Sequence, residues 1–112
     1  NIPKIISPSA YVSKNVKVGS GSIIFHNVIL NINVSIGLNC IINTNSLIEH
    51  DVKIGNNSHI STGAIINGNV TIGNNTFIGS GSIVSNNVKI GNNCFVRMGS
   101  KVIKNLKNNT KI

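Results

Sequence analysis

One short stretch of the chain, SLIEHDVKIG at positions 46–55, carries both of its carboxylates. Glu49 and Asp51 are the only acidic residues among 112, and they flank His50 in a chain of net charge +8. A carboxylate beside an imidazole fixes the tautomer of the ring and stabilises the imidazolium that forms on proton uptake. These residue types in this order predict a general base, His50, with the flanking carboxylates of Asp51 and Glu49 as its candidate supports.

The repeat around this stretch makes the cluster stand out. The motif NVKVG at 15–19 returns every 18 residues without an insertion, as NVSIG, DVKIG, NVTIG and NVKIG. The four other copies have Asn where Asp51 stands, and none has a carboxylate or an imidazole in the two positions before it. A repeat needs no such change for its own stability, so we interpret the cluster as functional. The alternative is a surface His in a local charge pair, with Lys53 nearby.

A six-residue period predicts the fold that positions the cluster. Every sixth residue from Ile6 to Val102 is aliphatic, most have a small or β-branched residue two positions earlier, and the register fails at Asn108. This period fits short strands that turn a corner every six residues, with two side chains inward per strand. The Gly and Asn of IGNN, as at 54–57, suit corners that need positive φ. Three hexads make one triangular coil of 18 residues, and successive coils stack at about 4.8 Å.

The outward side chains distinguish the three faces of such a prism. The residue before each inward aliphatic points outward, because strand side chains alternate. On one face this column is polar: Lys17, Ser35, Lys53, Thr71 and Lys89. On the other two it is mostly large and apolar: Ile23, Ile41, His59, Phe77 and Phe95, then Ile29, Leu47, Ile65, Ile83 and Lys101. Two exposed apolar faces predict packing between copies around a threefold axis, hence a homotrimer. Cover by another domain of the same chain is the alternative.

Composition narrows the remaining classes of function. The basic residues are scattered, Arg97 is the only Arg, and no nucleic-acid-binding motif is present. We therefore interpret the charge as a solvated basic surface, with attraction of a phosphate-bearing small ligand as the alternative. No apolar run approaches the roughly 20 residues of a membrane span. Cys40 and Cys94 stand three coils apart, about 14 Å by strand spacing, so they cannot pair and are expected to be buried thiols of a cytoplasmic protein.

Three stretches carry a resemblance to a known family: SAYVSKNVKVGSGS, SLIEHDVKIGNNSHIS and NVTIGNNTFIGSGS. They resemble the C-terminal hexapeptide-repeat domain of the sialic acid O-acetyltransferase and bacillosamine N-acetyltransferase family, over essentially the whole chain. The resemblance implies an all-β fold, a left-handed parallel β-helix. It implies direct acetyl transfer from acetyl-CoA to a hydroxyl or amine of a sugar, without a metal. His50 would be the general base and Asp51 would increase its basicity.

The same resemblance implies where acetyl-CoA binds. His59 and Gly68 would contact the cofactor, and its pantetheine arm would run along a groove between protomers, near Ser80 and Met98. Members of the family usually begin with a βαβ substrate domain. We therefore expect residues 1–112 to be a single β-helix acyltransferase domain, a fragment that lacks the N-terminal domain.

Two other functions remain open at this point. A zinc enzyme of the γ-carbonic-anhydrase kind would take three His ligands from stacked coils, but His26, His50 and His59 fall on different corners or faces. A non-catalytic structural or ice-binding solenoid would present a regular ladder. The column His26, Thr44, Thr62, Ser80 and Met98 is irregular, and a solenoid leaves the acid–base–acid cluster unexplained.

Overall fold

A computed structural model describes residues 2–112, which form a triangular prism of stacked coils. Seventeen two-residue strands make its faces, and residues 2–112 contain no helix. In chain order the strands are β1 (Ile5–Ile6), β2 (Tyr11–Val12), β3 (Lys17–Val18), β4 (Ile23–Ile24), β5 (Ile29–Leu30), β6 (Ser35–Ile36), β7 (Ile41–Ile42), β8 (Leu47–Ile48), β9 (Lys53–Ile54), β10 (His59–Ile60), β11 (Ile65–Ile66), β12 (Thr71–Ile72), β13 (Phe77–Ile78), β14 (Ile83–Val84), β15 (Lys89–Ile90), β16 (Phe95–Val96) and β17 (Lys101–Val102).

Each face is a parallel sheet in which every strand pairs with the strand three further along the chain. The first face is β3, β6, β9, β12 and β15; the second is β1, β4, β7, β10, β13 and β16; the third is β2, β5, β8, β11, β14 and β17. The register joins each residue to the residue 18 positions on, so His59 lies between Ile41 and Phe77. The predicted left-handed parallel β-helix is confirmed.

Inward side chains fill the prism in alternating large and small columns. Ile48, Ile60 and Ile66 are fully buried, and small residues such as Ser58 and Ala64 lie between them along the chain. The Ser58 hydroxyl donates to the Gly73 carbonyl at 2.8 Å, which satisfies its buried oxygen. Cys40 and Cys94 are buried free thiols, as expected, and burial raises the pKa of Cys40.

The corners differ from the sequence-based prediction in one respect. We expected both Gly and Asn of IGNN to supply positive φ, but only the second Asn does, as at Asn57 and Asn75, with φ of 57° and 55°. Gly55 is not among the positive-φ residues. A Cβ added to it would come within 2.8 Å of the Gly73 carbonyl carbon in the next coil. These glycines are therefore required by the close stacking of coils, not by their backbone conformation.

The last coil is two residues shorter than the others. Leu106 bridges to Ile90, an offset of 16 residues instead of 18, and the Asn108 side-chain oxygen accepts a hydrogen bond from the Asn92 amide across the same offset. Leu106 packs against the core from this position. The shortened coil is why the hexad register fails at Asn108.

The burial of the core predicts that substitutions of inward side chains lower the free energy of unfolding much more than substitutions of outward ones. Ile60→Ala would leave a cavity in a fully buried column and is expected to lower the free energy of unfolding by about 2–5 kcal/mol. Ile103→Ala, at a side chain that is 78% exposed, should change it by less than about 0.5 kcal/mol. Urea denaturation followed by circular dichroism measures both. Equal effects would contradict the assignment of Ile60 to the core.

Candidate active site

His50 lies on the corner between the third and first faces, held by the carboxylate that follows it. Its Nδ1 is 3.0 Å from Asp51 Oδ2, and the two side chains are 53% and 49% exposed. An ionised carboxylate only accepts hydrogen bonds, so Nδ1 carries the hydrogen and Nε2 is left with a free lone pair. The hydrogen bond from His50, followed by one from Asn33, holds the pKa of Asp51 below its usual value. The pair is thus arranged to accept a proton at Nε2.

The two carboxylates that flank His50 in sequence have different partners. Asp51 has a left-handed backbone with φ of 60°, the conformation that Asn adopts at the equivalent corner of other coils. Its second oxygen accepts from Asn33 Nδ2 at 3.1 Å. Glu49 Oε1 accepts from Asn31 Nδ2 at 2.8 Å. Asp51 therefore orients the imidazole, while Glu49 is engaged with the preceding coil.

Gly68 makes room for the His50 ring one coil further on. Gly68 is buried, and a Cβ added there would lie 2.6 Å from His50 Cε1 and even closer to Nε2. Any side chain at this position would push the imidazole away. Because φ at Gly68 is not positive, the backbone conformation does not require glycine at this position. The space taken by the His50 ring does.

His59 lies on the second face with its ring partly buried among apolar neighbours. It packs edge-to-face on Phe77 with 5.2 Å between ring centroids, and Phe77 stacks on Phe95 at 5.1 Å. Its Nε2 is buried and has no hydrogen-bond partner among residues 2–112. Burial lowers the pKa of His59 below its ordinary value. A neutral ring with an unmatched polar atom is a feature that an outside group could satisfy.

The corner between the second and third faces is bare along its C-terminal half. Gly63, Gly81 and Gly99 have φ of 68–70°, and on the same corner Asn27 and Asn45 have φ of 57° and 62°. A Cβ on any of the three glycines would meet nothing within 4 Å. We call residues 61–64, 79–82 and 97–100 the glycine corner. The left-handed backbone favours glycine at these three positions, and the lack of a Cβ leaves the local backbone uncovered.

The structure divides the predicted site residues among three places. Glu49, His50, Asp51 and Gly68 share the His50 corner. His59 lies on the second face; Ser80 and Met98 lie on the glycine corner, where Ser80 Oγ is 2.8 Å from Ser61 Oγ and Met98 is 71% exposed. Within one chain the third face separates the His50 corner from the glycine corner. Sequence reasoning missed Asn31 and Asn33, although each stands 18 residues before the carboxylate it binds.

Across residues 2–112, no group of three or more His, Cys, Asp or Glu side chains could hold a metal ion. Nor does this part of the chain form a helix long and apolar enough to cross a bilayer.

His59 predicts a loss of stability in mild acid. The fold favours its neutral form, with a pKa below the ordinary 6.5. As pH falls below about 6.5 the unfolded chain takes up the proton first, so stability declines until the lower folded-state pKa is passed. His59→Phe should reduce the fall in Tm between pH 7.5 and pH 5, whereas His26→Gln, at an exposed corner, should keep it. Identical pH profiles for wild type and His59→Phe would contradict this prediction.

Comparisons with known proteins agree with this fold. A family model described as the GMPPB C-terminal domain matches residues 5–111. No curated protein sequence matches the chain at a significant level. Among solved structures, the chain is similar to the acetyltransferase domain of PglB from Neisseria gonorrhoeae FA1090, with TM-score 0.97 and 25% identity over 98% of this chain and 54% of that one. That domain has also been solved in complex with acetyl coenzyme A.

Two other solved proteins are similar over the same region. PerB from Caulobacter crescentus, in complex with CoA and GDP-perosamine, matches with TM-score 0.94 and 33% identity over 96% of this chain and 52% of that one. WeeI from Acinetobacter baumannii AYE matches with TM-score 0.90 and 28% identity over 94% and 52%. The chain spans about half the length of these solved relatives. It belongs to the GMPPB C-terminal domain family, and its solved neighbours confirm the resemblance to the hexapeptide-repeat domains of sugar N-acetyltransferases.

Proposed function

We propose that this domain catalyses acetyl transfer from acetyl-CoA to the amine of a nucleotide-linked amino sugar, with His50 as the general base. The observation that carries the proposal is the His50–Asp51 pair above Gly68. One carboxylate fixes the imidazole through Nδ1, and a glycine leaves space for the ring. Nε2 is thereby the one ring nitrogen that can accept a proton.

Acetyl-CoA supplies an activated acetyl thioester: the sugar nitrogen bonds to the acetyl carbon, and the carbon–sulfur bond breaks to release the thiolate of CoA. The nitrogen loses a proton in this reaction, and His50 Nε2 accepts it. Asp51 stabilises the resulting imidazolium, and Asn33 holds Asp51 in place through its other oxygen. A positioned base of this kind contributes about 10²–10⁴-fold to the rate.

The site is completed between chains of a homotrimer. Leu47 and Ile65, on the third face, lead to the His50 corner, while Ile41 and Phe77, on the second face, flank His59. If the second face of one prism packs on the third face of the next, both apolar columns are covered. His59 of one chain then lies on the same seam as His50 of its neighbour. The second face of one chain thus forms one wall of a groove between the two chains, and the His50 corner of its neighbour forms the other wall.

The residues of this groove fit an extended thioester ligand. His59 Nε2 is a buried nitrogen without a partner among the described residues, and a hydrogen bond to the ligand would satisfy it. Beside it, Gly81 and Gly99 leave the backbone near Ser80 and Met98 uncovered, so a pantetheine arm can approach closely. His59, Gly68, Ser80 and Met98 would hold acetyl-CoA in this arrangement.

The solved relatives favour an amine as the acceptor. PerB was solved with GDP-perosamine, and a related structure is named a GDP-perosamine N-acetyl transferase. Sialic acid, which the sequence resemblance also implied, is not named for any of the relatives described above. The buried free thiols Cys40 and Cys94 suit a reducing compartment, so we place the reaction in the cytoplasm.

Gly68→Ala tests the proposed role of the imidazole without removing it. The added methyl group displaces the ring, and a shift of about 1 Å can cost about 100-fold in rate. We therefore expect kcat with acetyl-CoA and a nucleotide-linked amino sugar to fall by about 100-fold. Asn86→Ala, one coil further along the same column, is the control and should retain wild-type kcat. An unchanged kcat in Gly68→Ala would contradict the assignment of His50 as the base.

A further inference from the structure

Asn33 lies one coil before Asp51, at the same position of the corner between the third and first faces. Its Nδ2 donates to Asp51 Oδ1 at 3.1 Å, while the other oxygen of Asp51 is 3.0 Å from His50 Nδ1. An ionised carboxylate only accepts hydrogen bonds, so the NH2 group of Asn33 must face it. Each oxygen of Asp51 therefore has its own donor, and the two donors together fix the plane of the carboxylate.

A second asparagine is stacked on Asp51 from the other side, but its side-chain amide donates elsewhere. Asn69 follows Asp51 in the next coil, with the same φ of 60°. Its backbone amide donates to the His50 carbonyl at 2.9 Å, and its side-chain Nδ2 donates to Asn87 Oδ1 at 2.8 Å. Within residues 2–112, the side-chain hydrogen bond that Asp51 receives from its own corner column thus comes from Asn33 alone.

The hydrogen bond from Asn33 acts on the orientation of Asp51 and not on its charge at neutral pH. The pKa of Asp51 lies below its ordinary value first because of the bond from His50 and next because of the bond from Asn33, and the ammonium group of Lys53 acts in the same direction. The carboxylate is therefore ionised at neutral pH with or without Asn33. The terminal torsion of an Asp side chain is otherwise broad. The amide restricts that rotation.

We propose that Asn33 is a positioning residue for the proton transfer. By holding Asp51, it keeps the hydrogen of the His50 ring on Nδ1 and the lone pair on Nε2, where the acceptor nitrogen delivers its proton. This inference rests on the proposed function for its role in the reaction, while the hydrogen-bonded chain of Asn33, Asp51 and His50 rests on its own geometry. The coil before the acid–base–acid cluster is thereby part of the active site.

The first test can be read at a single carboxylate. Asp51 is the only aspartate of the chain, so ¹³C labelling of aspartate gives one side-chain carboxyl signal in an NMR titration. We expect Asn33→Ala to raise the pKa of Asp51 towards its ordinary value, because the ionised form loses a donor. The ¹⁵N shifts of the neutral His50 ring should show a larger fraction with the hydrogen on Nε2. Asn69→Ala, with a left-handed backbone like that of Asn33, is the matched control and should change neither signal.

Kinetics test the role of Asn33 in catalysis. For metal-bound imidazoles, loss of the outer hydrogen-bond partner typically costs about 10–100-fold. Asn33 is one hydrogen bond further from the ring, so we expect Asn33→Ala to lower kcat about tenfold and to change the KM for acetyl-CoA less than about twofold. In an Asp51→Asn background the same substitution should lower kcat less than about twofold, because its effect passes through Asp51. Circular dichroism over the same pH range confirms that each variant stays folded.

The two tests distinguish a wrong positioning role from a wrong function. An unchanged Asp51 pKa and ring tautomer in Asn33→Ala, or equal changes in Asn69→Ala, would overturn the proposal. Equal losses of kcat in both backgrounds would overturn it too, since Asn33 would then act on the fold and not through Asp51. If His50→Gln keeps the wild-type kcat, the proposed function is refuted, and with it the role of Asn33 in the reaction.

Discussion

Replacing His50 by Gln is expected to lower kcat for acetyl transfer by about 10²–10⁴-fold. Gln keeps a polar side chain near Asp51 but cannot accept a proton at the position of Nε2. Binding of acetyl-CoA should change little, because His50 acts on the acceptor nitrogen. Steady-state kinetics with a nucleotide-linked amino sugar, together with calorimetric binding of acetyl-CoA, separate the two effects.

Two variants complete this experiment. His26→Gln removes an imidazole from a different corner, where its Nδ1 is 2.8 Å from Ser7 Oγ, and should leave kcat near the wild-type value. Asp51→Asn restores the residue that the other coils carry, with the same left-handed backbone, so the fold should be retained. Its carboxamide neither fixes the tautomer nor stabilises the imidazolium, and we expect a loss of at least about 100-fold. A wild-type kcat in His50→Gln would refute the general base.

Ile65→Glu is expected to separate the proposed homotrimer into chains of 11.8 kDa and to abolish the proposed acetyl transfer. Ile65 lies at the centre of the apolar outward column of the third face, between Leu47 and Ile83. A carboxylate there would be buried without a partner at every contact between prisms, at a cost of about 3 kcal/mol or more each. That corresponds to roughly 100-fold weaker association per contact. Light scattering coupled to size exclusion gives the mass directly.

Thr71→Glu is the matched control for this substitution. Thr71 occupies the same outward position in the next strand, on the polar first face, between Lys53 and Lys89. A carboxylate there gains two basic neighbours and remains in solvent, so the mass should stay that of the trimer. A trimeric Ile65→Glu variant, or a monomeric wild type with full activity, would refute the proposed seam.

The repeat made the fold predictable from sequence, because each aliphatic of the six-residue period performs the same task. Ile48, Ile60 and Ile66 are all inward and fully buried, as the period requires. The corners were less predictable. Gly55 and Asn57 look like interchangeable turn residues in sequence, yet one is needed for stacking and the other for its left-handed φ.

The site residues were predictable where the sequence departs from its own repeat. They were not predictable where the site depends on contacts between stacked coils. The cluster at 49–51 stood out, and the family resemblance singled out Asp51 as the support of His50. The geometry adds that Asp51 contacts the ring while Glu49 binds Asn31. The fit of the His50 ring over Gly68 joins residues 18 positions apart. Contacts of this kind can be found in the sequence by comparing each residue with the one 18 positions further on, because these two residues stack in successive coils.

We propose that His50 of one chain and His59 of its neighbour form a single active site, and mixing two inactive variants tests whether they act together. His50→Gln and His59→Ala homotrimers, unfolded together and refolded at equal concentration, would place both native imidazoles at about one seam in four. We expect the mixture to recover about a quarter of the wild-type activity, while each variant alone stays inactive. If the refolded mixed trimers remain as inactive as their parents, the two imidazoles do not act across the seam.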